Sequence, residues 1–94
     1  MEGQASISAD ILARYAADAA REVDGVRALP KRGVKVVGAD GEVRVELHLA
    51  VDWGASIPEV GRGVQSRVRE YLLRMADVEP AVVDVVVDEI GPLR

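Results

Sequence analysis

The sequence predicts an α+β domain: two helices packed on one face of a three- or four-stranded mixed or antiparallel sheet, in the order (β)αββαβ. Three observations carry this. Apolar residues recur at helical spacing in two stretches, Ile11 to Val23 and Ile57 to Met75. Two alternating runs flank Asp40-Gly41, the dipeptide preferred by a two-residue hairpin turn. A valine-rich alternating run, Ala81 to Asp88, then closes the order.

With 94 residues the chain is expected to form one domain, 1–94, with a single core. That core must be aliphatic, since the sequence has no Phe, one Trp and two Tyr. A net charge of −4 argues against nucleic-acid binding, which relies on clustered Lys and Arg to replace counterions. The absence of cysteine excludes a disulfide framework and thiolate zinc sites. Met1-Glu2-Gly3-Gln4 has neither the basic region nor the apolar run of a signal peptide, and no segment reaches the roughly 18 apolar residues of a membrane span. Direct membrane insertion is therefore not expected.

Taken in order, Gln4 to Ile7 reads as an edge strand leading in. Ser8 is the expected N-cap of the first helix, with Asp10 in its positive first turn. Ile11, Leu12, Tyr15, Ala16, Ala19, Ala20 and Val23 form its apolar stripe, and Asp24-Gly25 ends it. A short extended piece, Val26 to Pro30, leads into an exposed basic turn, Pro30 to Gly33. In the hairpin, counting outward from Asp40-Gly41 sets Ala39 against Glu42, Val36 against Val45 and Val34 against Leu47. Lys35 then meets Glu46 on the other face as an opposite-charge pair.

Ser56-Ile57-Pro58-Glu59 reads as a capping box opening the second helix, with the proline in the first turn where it does no harm. Ile57, Val60, Val64, Val68, Leu72 and Met75 make its buried stripe. Gly61 and Gly63 each cost roughly 1 kcal/mol against alanine; Gly61 is expected on the packed side, letting helix and sheet approach. Asp77 to Pro80 form a turn, and Gly91-Pro92 end the last strand.

The residues that carry chemistry elsewhere are sparse here. His48, the single histidine, falls on the sheet face away from Val45, Leu47 and Leu49, beside Glu46 and Asp84. One histidine without cysteines is a thin ligand set, so it reads as a solvated strand residue, and no metal or cofactor is expected. Ser56 and Ser66 have no neighbouring base in the sequence. Glu46, Asp84 and Asp88 read as solubilising acids, and Gly61-Arg62-Gly63 lies inside a helix and makes no phosphate cradle. Arg62, Arg67, Arg69 and Arg74 are interleaved with Glu59 and Glu70, the pattern of a solvated helix face.

Contact residues are more promising. Trp53 reads either as an anchor over the end of the core, the favoured reading, or as an exposed hot spot. Val37, Ala50, Val82 and Val86 fall on the face opposite the helices, a sheet surface suited to self-association.

The chain resembles the alkaline-shock protein family, small envelope-stress-response proteins of Gram-positive bacteria. The residues that carry this are Ile7-Ser8, Glu22-Val23-Asp24-Gly25-Val26, Gly33-Val34-Lys35-Val36 and Val45-Glu46-Leu47-His48-Leu49-Ala50-Val51. Trp53-Gly54, Ile57-Pro58-Glu59-Val60, Val64-Gln65 and Val83-Asp84-Val85-Val86-Val87 complete the set. The resemblance covers almost the whole length. It departs at Trp53, where tyrosine is usual, and at Gly61 and Gly63, where better helix formers are usual. It implies a non-enzymatic, self-associating cytoplasmic protein of cell-envelope homeostasis and alkaline stress that can be held at the membrane by a separate anchor protein of similar fold. No catalytic residue is transferred by it. The expected function is thus a scaffold or adaptor, a homo-oligomer acting through protein contacts, with a small ligand- or lipid-binding module as the alternative.

Overall fold

The computed structural model describes residues 7–92 apart from Lys31 and Asp40. It contains helices α1 (Ala9–Arg21) and α2 (Ile57–Ala76) and strands β1 (Val26–Ala28), β2 (Val34–Ala39), β3 (Glu42–Val51) and β4 (Val82–Ile90). The leading strand expected over Gln4 to Ile7 falls largely outside the described residues, and Ile7 itself is not in a strand.

β3 is the central strand. β4 runs parallel along one side of it from Arg44 to Val51, while β2 and β1 lie antiparallel on its other side, one after the other. The sheet is therefore mixed. The hairpin register is the one expected: Val34 pairs with Leu47, Lys35 with Glu46, Val36 with Val45 and Ala39 with Glu42. Gly41, at φ +77°, supplies the left-handed residue of that turn.

Alternation along β3 turns Val45, Leu47, Leu49 and Val51 into the core, where they are nearly inaccessible. Facing them are Leu12, Ala16, Ala19 and Ala20 of α1 and Val60, Val64, Val68 and Leu72 of α2. The alanines let α1 lie close, and the i, i+4 row of α2 fills the remaining space. Each large buried aliphatic contributes about 1.5 to 3 kcal/mol. At the helix pair Tyr15 and Tyr71 meet edge to face at 5.8 Å between ring centres.

Local chemistry sets the element ends. The Ser8 and Ser56 hydroxyls accept from the Ile11 and Glu59 amides at 3.2 and 3.3 Å, satisfying amides that have no partner in the helix. α1 stops three residues before Asp24-Gly25, its last amides turning tightly back to Ala19 and Ala20. Gly25, at φ +96°, then reverses the chain, and a Cβ there would lie 2.6 Å from Val60 Cγ2. Arg67 donates to Glu22 at 2.7 Å, Gln65 to the Val83 carbonyl at 3.0 Å and Arg69 to the Pro80 carbonyl at 2.9 Å. These bonds tie α2 to α1 and to the start of β4.

Three expectations are corrected. Ile11, Ile57 and Met75 are exposed, not in the buried stripes. For α2 the reason is length: at 1.5 Å per residue it is about 30 Å long against about 20 Å for α1, so its ends overrun their cover. Gly61 is not the packed glycine. A Cβ on it would meet nothing within 4 Å, whereas one on Gly63 would lie 3.1 Å from Val23 Cγ1, so Gly63 is where α2 needs a missing side chain.

Candidate functional site

No helix of the described chain covers the second face of the sheet, and its rows follow from the two registers. Val37, Arg44 and Val82 lie side by side, then Lys35, Glu46 and Asp84, then His48 and Val86. Val37 and Val86 are 44% and 38% exposed, and Val82 is half-buried. Ala50, expected on this surface, is only 7% exposed; it is flanked in the sheet by Ala28 of β1 and Glu89 of β4. It is too covered to serve as a contact residue.

The charges of this face are arranged around His48. Its Nε2–H donates to Glu46 Oε2 at 2.7 Å and its Nδ1–H to Asp88 Oδ2 at 2.9 Å. A neutral imidazole has one N–H, so an acceptor at both nitrogens is the arrangement of the protonated ring. The hydrogen bonds to Glu46 and then to Asp88 raise the pKa of His48 above its ordinary 6.5. Asp88, not Asp84, is the second carboxylate. Between Leu49 and Ala50 the β3/β4 register shifts, Val87 pairing with Leu49 and Glu89 with Ala50, which leaves Asp88 as the extra residue of a bulge. Bulges re-aim side chains in this way. Asp84 instead lies across from Glu46. Alternation alone places both acids on this face; only the parallel register decides which one reaches the ring.

Trp53 lies in the turn between β3 and α2 and is 58% exposed. It does not anchor the core, so the favoured reading is overturned and Trp53 stands out as an accessible aromatic. Exposed Ile57 opens α2 shortly after it in the chain, exposed Ile90 pairs with Val51 at the end of β3, and Gly91 packs against its backbone.

Several other candidates have local roles. Ser56 is a cap. Of the α2 arginines, Arg67 and Arg69 tie the helix to its neighbours and Arg74 lies 5.5 Å above the Tyr71 ring. No polar or charged side chain is buried among the described residues, and none of their His and carboxylate groups cluster so as to hold a metal ion. One feature had no clear signal in the sequence: an open groove of about 400 Å³ between α1 and the β1–β2 connection, lined by Ala13, Ala17, Leu29, Pro30 and Val34 together with Arg14, Asp18 and Arg21, the last two paired at 3.1 Å.

Solved structures share this fold. A MamM-CTD variant with one histidine replaced by alanine superposes with a TM-score of 0.70 at 16% identity, covering 90% of this chain and all of that one. A cadmium form of a MamM-CTD variant gives 0.67 at 16% identity, over 87% of this chain and 98% of the other. In sequence, the chain is 30% identical over 92 residues to YqhY, an uncharacterised protein of Bacillus subtilis (strain 168), covering 81% of this chain and 68% of YqhY. The model of the alkaline shock protein 23 family, described by a cell envelope-related function, matches residues 27–92. That match runs from β1 through Pro92 and takes in the hairpin, Trp53, the capped helix and β4, so the chain belongs to the alkaline shock protein 23 family of cell envelope-related proteins.

Proposed function

We propose that the chain is a non-enzymatic scaffold or adaptor domain of cell-envelope homeostasis that works by self-association and protein contacts. The observation that carries this reading is the uncovered sheet face, which presents Val37, Val82 and Val86. Its polar groups are spent on one another, since both His48 nitrogens are taken by carboxylates and Ser56 caps a helix. No nucleophile, base and stabiliser converge among the described residues in the way catalysis requires. Substituted variants of MamM-CTD have a cadmium and a nickel form; in this chain the imidazole offers no unshared ring nitrogen to a cation while both hydrogen bonds hold.

In this reading the protein acts in the cytoplasm, and attachment to the membrane runs through a separate anchor protein of similar fold. Supporting that, no helix of the described residues is long and apolar enough to cross a membrane. Substituting Val86→Lys puts a charge on the face without touching the core, since Val86 is 38% exposed. It should weaken self-association in sedimentation velocity while the circular dichroism melt stays close to wild type. An unchanged mass distribution counts against this surface.

A small ligand- or lipid-binding module is the second reading, favoured by the groove beside α1, where Arg14 lies alongside the Arg21–Asp18 pair. A melting temperature raised by anionic vesicles, with no concentration-dependent association of the protein, would shift the weight to it.

A further inference from the structure

Both outer edges of the sheet are open among the described residues. β2 and β4 each pair with β3 and with no other strand, so each presents backbone N–H and C=O groups along its far side, with the Val83 carbonyl of β4 also accepting from Gln65 at 3.0 Å. β2 offers six residues and β4 nine. Because β2 runs antiparallel to β3 and β4 parallel to it, the two edges have opposite directions. A copy displaced sideways in the same orientation would lay its β2 antiparallel against the β4 of its neighbour, with the helices of both on one face.

The rows of the sheet decide which residues would meet. Across one molecule, Lys35, Glu46 and Asp84 form one row and Val37, Arg44 and Val82 another, with Val36, Val45 and Val83 and Val34, Leu47 and Val85 between and beyond them. Extended into the next copy, these rows set Asp84 against Lys35, Val82 against Val37, Val83 against Val36 and Val85 against Val34. All four pairs belong to one antiparallel register. In these four pairs each valine meets a valine on the same face, and the one charged pair is of opposite sign. A slip of one residue would bring Asp84 onto the helix side opposite Val34 or Val36, and a slip of two would leave it facing Val37 or Gly33.

Charge complementarity points the same way. β4 carries Asp84, Asp88 and Glu89 and no basic residue, whereas β2 carries Lys35 and no acid. Arg14 and Arg21 flank the groove beside Val34, although Arg21 is shared with Asp18 at 3.1 Å. Pairing β4 with β4 would crowd acid against acid, while pairing it with β2 relieves that repulsion.

We propose that a second copy of this chain docks by pairing its β2 edge antiparallel with the β4 edge of the first, in the register that sets Lys35 against Asp84. The contact is heterologous, so each added copy still leaves one β2 edge and one β4 edge open, and the assembly grows without closing into a dimer. The inference rests on the self-association reading and adds an edge contact to the one proposed on the uncovered face.

The test is sedimentation velocity on the full chain over a concentration series for wild type, Lys35→Glu, Asp84→Lys and the double variant, with circular dichroism to confirm folding. Both side chains are exposed, so neither change removes core contacts. Each single variant should weaken association by about tenfold, as expected when an attractive cross-strand pair becomes repulsive. The double variant, and an equal mixture of the two single variants, should recover it. Single variants that assemble like wild type, or a double variant as dissociated as the singles, overturn the register while self-association stands. A wild type that remains monomeric throughout overturns self-association itself, and the edge contact with it.

Discussion

At His48 two carboxylates hold one ring, and the consequence depends on pH. Glu46 and then Asp88 raise its folded-state pKa above the ordinary 6.5. A raised histidine pKa stabilises the fold fully below the unfolded value, and that contribution is lost as pH rises through the folded value. The loss should therefore begin above pH 6.5 and end once the folded-state imidazolium has titrated. Thermal melts of wild type and His48→Gln across this window should show a wild-type advantage at the acidic end that shrinks toward the alkaline end. A difference that stays constant with pH would contradict the imidazolium assignment. Sequence alternation places Glu46, His48, Asp84 and Asp88 on one face, but the partnership itself depends on the bulge opposite Ala50. Nothing in the local sequence marks a bulge in a parallel pair, because the strands concerned are separated by the whole of α2. Trp53 was ambiguous for a different reason: a lone aromatic in a turn satisfies an anchoring reading and an exposed one equally well until the turn's orientation is known.

The helix α2 shows how packing and propensity compete within one element. Both glycines cost helix propensity, yet only Gly63 faces a neighbour, with Val23 Cγ1 3.1 Å from where its Cβ would stand. Gly61→Ala should raise stability by up to about 1 kcal/mol, the propensity difference. Gly63→Ala should gain less or lose, because Val23 must give way. Urea unfolding measures both, and equal gains would show that Val23 moves aside without cost. The existence, order and caps of the two helices were legible in the sequence because periodicity and Ser capping are local signals. The hairpin was legible to the residue because Asp40-Gly41 fixes a two-residue loop and the valines permit one register. What escaped was phase at close range: whether position 61 or 63 points at Val23 depends on where the segment after α1 crosses α2. The end of α1 escaped as well, since its final turn tightens before Gly25 is reached.

At the scale of the whole molecule, a mixed sheet carries both helices on one side and keeps its other face and both edges open among the described residues. The covered side supplies stability through aliphatic burial. The uncovered side supplies no buried polar constellation, and its chemistry consists of a histidine shared by two acids, a few half-exposed valines and strand edges of unlike charge. This division suits a protein whose work is contact, and it agrees with membership in a cell envelope-related family. The most direct test of that account is sedimentation velocity of the wild-type chain over a wide concentration range. Reversible growth beyond the monomer with rising concentration is the expected result. A single monomeric boundary at every concentration would contradict it.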